Sequence, residues 1–337
     1  MRHIFLITDY RGMFYSTTRS PGVGFNLEKL KKYFFNEGFK LVVKSFAEIN
    51  LREEDYLHQL IIYQSSEDPE LFYKDYIEDI LFGLKEQGAV LIPDLKYFRA
   101  HHNKVFMEVL RDISSNQSIR NIKSFGFGTF EDYLKFFNYS GVYVLKSSDT
   151  SKSKGVYLIK NYLDTSKVKK LSKTFSFQNL RYLYRSVRKF KKHLFISNYR
   201  KKFILQEYIP NLSGDYRVIV YGNKYYVLYR KNRINDFRAS GSMRFYFGTS
   251  LPDGLLNFSK EVFQSFHVPF IALDIGEKNG AFYLFEFQAV SFGQYTFEKS
   301  SGYYFKQGES WVFKKEKPDL ESEFVTSIVK YLKDNNI

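Results

Sequence analysis

The sequence contains no cysteine, which excludes disulfides and thiolate-held metal centres. Its six histidines show neither HxH nor HExxH spacing, so a zinc site is not expected. No apolar run approaches the roughly 18 residues that a membrane span needs. The start, Met1-Arg-His-Ile-Phe-Leu-Ile-Thr, offers only the apolar run Ile4–Ile7, too short for a signal-peptide core and better suited to a first β-strand. There is no internal repeat and no low-complexity linker. These absences together lead us to expect a soluble, cytoplasmic protein.

What is present is an ample core and an uneven charge. With 337 residues the chain is long enough for two or three domains, and 44% of it is apolar. Aromatics reach 19%, mostly from 36 Phe and 28 Tyr, which points to a core rich in those two residues. The net charge of +15 has a local origin. Residues 165–202 hold 13 Lys/Arg and no Asp or Glu, and the remainder is nearly neutral, with 38 basic residues against 36 acidic ones.

The first 95 residues alternate strand and helix patterns. Ile4–Thr8, Leu41–Phe46, Gln59–Tyr63 and Ala89–Ile92 read as short buried strands. Leu27–Phe35 and Leu71–Leu84 carry helical periodicity, with Asn26 as the cap of one and Asp68 or Pro69 opening the other. Such alternation predicts an open, mostly parallel sheet, whose ligands would bind beyond the strand carboxyl ends, at Asp9–Gly24 and Tyr63–Asp68. After a boundary near Pro93 come a helix at Asn103–Arg111 and strands at Val142–Leu145, Val156–Ile159 and Phe203–Gln206. From Tyr216 an antiparallel pattern follows: Arg217–Tyr221, Tyr225–Arg230, Met243–Phe247, Ile271–Ile275 and Ala281–Phe287. The pairs Gly222-Asn223 and Asn279-Gly280 supply hairpin turns, and Pro318–Asn335 is an amphipathic helix. The expected division is 1–95, 96–209 and 210–337.

Several polar residues stand where apolar strands begin or end. Lys146 ends a strand and precedes the Gly/Ser/Lys loop Ser147–Gly155, whose flexible backbone could bring N–H groups to phosphate oxygens. Leu205-Gln206-Glu207-Tyr208-Ile209-Pro210 closes a later strand, and Asp215 and Arg217 follow in Gly214-Asp215-Tyr216-Arg217. Asp274 lies inside Ile271–Ile275, and Glu286 and Gln288 lie two apart in Leu284–Gln288, hence on one face of their strand. A carboxylate among Leu, Ile and Phe is costly to bury without a cation, and magnesium takes oxygen ligands, usually shared with phosphates. Arg217, Arg230 and Arg238 suit bidentate contact with phosphate or carboxylate.

In this order the pieces are the parts needed to hold a nucleoside triphosphate and its magnesium, and the chain resembles the ATP-grasp superfamily. Within it, the branch of ribosomal-protein glutamate ligases and related carboxylate–amine ligases is the nearest in pattern. The resemblance covers roughly Lys104 to Gly293, and the first 95 residues suit the α/β domain that precedes the family's core. It implies an α/β (α+β) fold class: an ATP-grasp fold behind an N-terminal open α/β domain, with ATP and Mg2+ as cofactors. It makes Lys104 and Lys146 phosphate-binding lysines and places Ser153 and Gly155 in a flap over the triphosphate. Gln206 or Glu207 would take the adenine amine. Backbone groups of Tyr208 and Ile209 would meet the adenine edge, with Ile209 packed on the ring. Asp215 would lie near the ribose or metal, and Asp274, Glu286 and Gln288 would hold the metal. Relatives commonly carry Asn where this chain has Gln288, whose amide oxygen reaches one methylene further. Arg238 would reach the γ-phosphate and the reacting carboxylate, Arg230 would support the phosphates, and Arg217 would join them or form a structural ion pair.

The implied chemistry is ATP-dependent C–N ligation: a carboxylate attacks the γ-phosphate, and an amine then displaces phosphate from the acyl phosphate. It requires no side-chain nucleophile, in keeping with the absence of any Ser/His/Asp or Cys/His arrangement. The partners expected are ATP, a small-molecule or glycan carboxylate and an amine. A phosphotransferase on the same fold is the alternative within enzymes. A polyanion-binding protein is the alternative outside them, since residues 165–202 interleave aromatics with their charges, a pattern that suits nucleic acid or an anionic membrane surface. The near-neutral remainder argues against nucleic acid. We therefore expect the segment to recruit an acidic acceptor, and analogy with relatives in cell-surface pathways suggests polysaccharide modification.

Overall fold

The computed structural model describes residues 1–15, 24–138, 140–149, 155–161, 164–174, 197–248 and 250–337. The expected flap residue Ser153, most of the basic segment (175–196) and part of the loop after the first strand (16–23) lie outside the described residues. Two compact units emerge: one comprises Met1–His101, Ser114–Asn121 and Leu212–Ile337, the other His102–Ile113 and Ile122–Asn211.

In the first unit the chain begins as β1 (Arg2–Thr8), α1 (Leu27–Asn36), β2 (Phe39–Ser45), β3 (Leu60–Ile62), α2 (Phe72–Glu86), β4 (Val90–Ile92) and α3 (Leu95–Ala100). The strands form a sheet ordered β2-β1-β3-β4 with every pair parallel, as the strand–helix alternation predicts. Asn26 caps α1 by accepting the Lys29 amide at 3.0 Å. Asp68 accepts the Tyr73 amide at 3.0 Å ahead of α2, after a short 3-10 turn at Pro69–Leu71.

The second unit holds α4 (Lys104–Asp112), β5 (Ser124–Phe127), α5 (Phe130–Phe136), β6 (Tyr143–Ser147), β7 (Val156–Ile159), α6 (Thr165–Ser172) and β8 (Phe203–Glu207). Its antiparallel sheet is ordered β5-β8-β6-β7. Behind it lies an aromatic core of Phe127, Phe130, Tyr133, Phe137, Tyr143 and Phe203, in which the Tyr133 and Phe137 rings stack with centroids 5.3 Å apart.

The chain then completes the first unit with β9 (Gly214–Tyr221), β10 (Lys224–Lys231), β11 (Phe245–Tyr246), α7 (Leu255–Phe266), β12 (Phe270–Lys278), β13 (Ala281–Gln288), α8 (Tyr295–Lys299), β14 (Gly302–Gln307), β15 (Ser310–Lys315) and α9 (Leu320–Asp334). These strands make an antiparallel sheet ordered β13-β12-β9-β10-β14-β15, with β11 also paired to β10. Asn279 and Gly280 both take positive φ, 52° and 81°, the geometry of a tight two-residue hairpin turn. The α7 helix, the β14–β15 hairpin, β5 and the short helices α3, α5, α6 and α8 were not expected from the sequence. Among the described residues no helix is long and apolar enough to cross a membrane.

Candidate nucleotide and metal site

Six of the expected site residues share one face of the sheet in the first unit. Arg217 on β9 stands opposite Asp274 on β12, which stands opposite Glu286 on β13. Asp215 on β9 stands opposite Arg230 on β10. Residues directly opposite on paired strands project to the same side, and Gln288 lies on that side two positions beyond Glu286. The register of β12 against β13 shifts just after Asp274: Ile275 pairs with Leu284, leaving Phe285 as the extra residue of a bulge. Gly276 makes room for it, because a Cβ there would lie 2.4 Å from a Phe285 ring atom.

The side chains on this face form one continuous network. Arg230 donates to both Asp215 oxygens, at 2.6 and 2.9 Å, and lies 2.9 Å from Asp274 Oδ2. Arg217 donates to Asp274 Oδ1 at 2.8 Å and to Gln288 Oε1 at 3.0 Å. The Gln288 amide in turn reaches Glu286 Oε1 at 3.4 Å. Ala272, directly opposite Gln288, is small enough to let the longer amide pass over β12 toward Arg217. The cation that the buried Asp274 requires is thus supplied twice by the fold itself. Burial alone would raise the Asp274 pKa, but the guanidiniums of Arg217 and Arg230 outweigh it and hold the group at about 2. Asp215 is raised, by burial first and by the neighbouring Asp274 charge, against the pull of Arg230. Burial would lower Arg230, yet its two carboxylates raise it above the ordinary arginine value.

Arg238 stands apart from this network. It lies on the excursion between β10 and β11 and donates to both oxygens of Asp236, with Nη2 at 2.6 Å. That excursion is closed by its own bonds: the Arg233 amide meets the Arg238 carbonyl at 3.0 Å, and Arg233 Nη2 meets the Ser240 carbonyl at 2.8 Å.

In the second unit Lys146, on β6, donates to Gln206 Oε1 at 2.7 Å. Gln206, on β8, reaches Glu108 Oε1 at 3.4 Å. Glu108 also accepts from Arg111 Nε at 2.7 Å and from the Ser124 hydroxyl. Glu108 and Arg111 are almost wholly buried on α4. Sequence reasoning missed this cluster. Its only signal is an acid and a base three residues apart on the helix face that also carries Met107 and Leu110. Lys104 opens α4, where Asn103 accepts the Phe106 amide at 3.2 Å, and its own amide donates to the Ser148 carbonyl at 3.0 Å. The Lys146-to-Gly155 loop is closed at its base by the Ser147 amide on the Gly155 carbonyl, 3.1 Å, with Gly155 at φ 65°. Further along, the Glu207 amide donates to Lys123 and the Tyr208 amide to Val142, at 2.8 and 3.1 Å. The Tyr208 N–H is therefore engaged by the protein's own backbone, while Ile209 is buried beside it.

No protein-family model matches the sequence, and no curated protein matches it. Solved structures do match. D-cycloserine synthetase DcsG aligns over 98% of this chain and 99% of its own, at 10% identity and a TM-score of 0.53. A RiPP-associated ATP-grasp ligase of Chryseobacterium gregarium, solved with ADP and a leader and core peptide, aligns over 99% and 97%, at 14% identity and a TM-score of 0.52. ATP-grasp ligase PsnB, solved with minimal precursor, Mg and ADP, aligns over 97% of each chain, at 12% identity and a TM-score of 0.51. The chain has the ATP-grasp fold along nearly its whole length.

Proposed function

We propose that the protein is an ATP- and magnesium-dependent carboxylate–amine ligase. The observation that carries this reading is the pair Asp274 and Glu286, opposite each other on adjacent strands, with the Gln288 amide next to them and Asp274 held ionised. This is an all-oxygen donor set suited to a hard divalent cation. Magnesium bound there would neutralise phosphate charge. The solved neighbours that hold ADP, one of them with Mg as well, support the same choice of cofactors.

Lys104 and Lys146 bind the phosphates, and Gln206, Glu207, Tyr208 and Ile209 receive the base. Arg217 and Arg230 orient Asp274 and keep it charged, Asp215 anchors Arg230, and Asp274, Glu286 and Gln288 would hold the metal. Arg238 meets the reacting carboxylate. A carboxylate oxygen of the substrate attacks the γ-phosphorus and releases ADP. The amine nitrogen then attacks the acyl carbon, phosphate leaves with the C–O bond electrons, and the nitrogen loses a proton. The protein's share is positioning and charge stabilisation. The concentration of 13 basic residues in 165–202 supports an anionic acceptor, with a surface-polysaccharide precursor as the candidate class.

The test is release of ADP and phosphate from magnesium-ATP against panels of carboxylates and amines. Equal release of both products, dependent on a carboxylate and an amine together, is expected. ADP release without free phosphate would make the protein a phosphotransferase.

A further inference from the structure

The acid–arginine face does not end at Arg230. Its partner across β11 is Phe245, which therefore projects to the same side. The ring of Tyr295, at the start of α8, lies 5.1 Å from Phe245 and 6.4 Å from Phe247, tilted against them by 51° and 41°. Tyr295 is 45% exposed although Gln294 and Thr296 on either side of it are buried, and Phe247 is 39% exposed. Two residues before Tyr295, a Cβ on Gly293 would meet nothing within 4 Å. The backbone on either side of Phe245 and Phe247 is tied to neighbouring strands. The Lys231 amide bonds the Arg244 carbonyl at 2.9 Å, and the Tyr304 hydroxyl bonds the Gly248 carbonyl at 3.4 Å.

We propose that Phe245, Phe247 and Tyr295 form the subsite for an aromatic or large aliphatic substituent carried by the carboxylate substrate. This rests on the ligase reading and narrows its substrate. Apolar surface left exposed beside a catalytic face gains free energy when a ligand covers it. Two of the three rings are phenylalanines without a hydroxyl, and the rings are tilted against one another rather than coplanar. A sugar ring needs partners for its hydroxyls, which two phenylalanine rings do not supply. An apolar side chain needs none, so the subsite favours an apolar amino-acid or peptide carboxylate over a uronate.

The experiment uses the full chain with magnesium and a non-hydrolysable ATP analogue. Binding of 3-phenylpropanoate, propanoate and glucuronate is titrated by ligand-detected NMR. We expect 3-phenylpropanoate to bind at least about tenfold more tightly than either of the others. Phe247→Ala and Tyr295→Ala should each weaken it about tenfold with the melting temperature unchanged. Equal binding of glucuronate or propanoate, or unchanged binding in both variants, would overturn the subsite. The nucleotide titration is read separately. Failure of the ATP analogue to bind, with the phenylpropanoate preference intact, would sink the ligase reading and leave the subsite standing.

Discussion

The acid–arginine face of β9, β10, β12 and β13 and the lysine–amide cluster of β6, β8 and α4 solve opposite problems. On the first, Asp215 and Asp274 meet two guanidiniums at 2.6 to 2.9 Å, and the Gln288 amide links Arg217 to Glu286, at 3.0 and 3.4 Å. On the second, Lys146 is steadied by the neutral amide of Gln206, while the nearby Glu108 takes its charge from Arg111. One site presents negative charge that is partly compensated by the fold. The other presents the Lys146 ammonium, held by the Gln206 amide oxygen at 2.7 Å. The first is suited to receive a cation and the second an anion.

The contrast makes a ranking of expected costs. Asp274→Ala would leave two buried guanidiniums short of a carboxylate, and breaking such a pair costs about 3–5 kcal/mol. Urea unfolding of the variant should show it, and a loss below 1 kcal/mol would mean that the network is slack. Gly214→Ala comes next, because a Cβ there would lie 2.2 Å from the Arg230 carbonyl oxygen. Overpacking of this kind costs roughly 1–3 kcal/mol, and the same unfolding measurement would detect it together with a weakened hold on Asp215. Gln206→Leu removes a neutral partner from Lys146 and from Glu108 and should cost about 1–2 kcal/mol. If it cost as much as Asp274→Ala, the distinction between the two regions would fail.

The smallest effect lies away from both. Asp319 caps α9 by accepting the Ser322 amide at 3.0 Å and pairs with Lys29 at 2.9 Å. Burial works to raise its pKa, but these two partners pull it below the ordinary carboxylate value. Its contribution is therefore present above that ordinary value and is lost as pH falls through the lowered one. Asp319→Ala should cost about 1 kcal/mol at neutral pH and flatten the acid side of a stability–pH curve. An unchanged curve would show that the cap contributes nothing.

Much of this was legible in the residues. The parallel sheet of the first 92 residues and the strands carrying Lys146, Gln206, Asp274 and Glu286 follow from apolar periodicity and turn chemistry. Helix α7 was legible in principle, since Leu255, Ser259, Val262 and Phe266 recur at helical spacing on its buried side. Cross-strand register was not legible. Which acid faces which arginine depends on the bulge at Phe285, and a slip of one residue would turn Glu286 to the other side. The sequence suggested Arg230 as a support for the phosphates and left Arg217 between that role and a structural ion pair, without revealing that both hold Asp274. It also gave no sign that Phe245 and Tyr295, far apart in the chain, meet beside Arg230.

The most direct test of the central claim is calorimetric titration of the full chain with a non-hydrolysable ATP analogue, with and without magnesium. Binding that requires magnesium, and that weakens in Glu286→Ala and in Lys146→Ala while both variants stay folded, is the predicted result. No detectable binding at millimolar ligand in the presence of magnesium would contradict it.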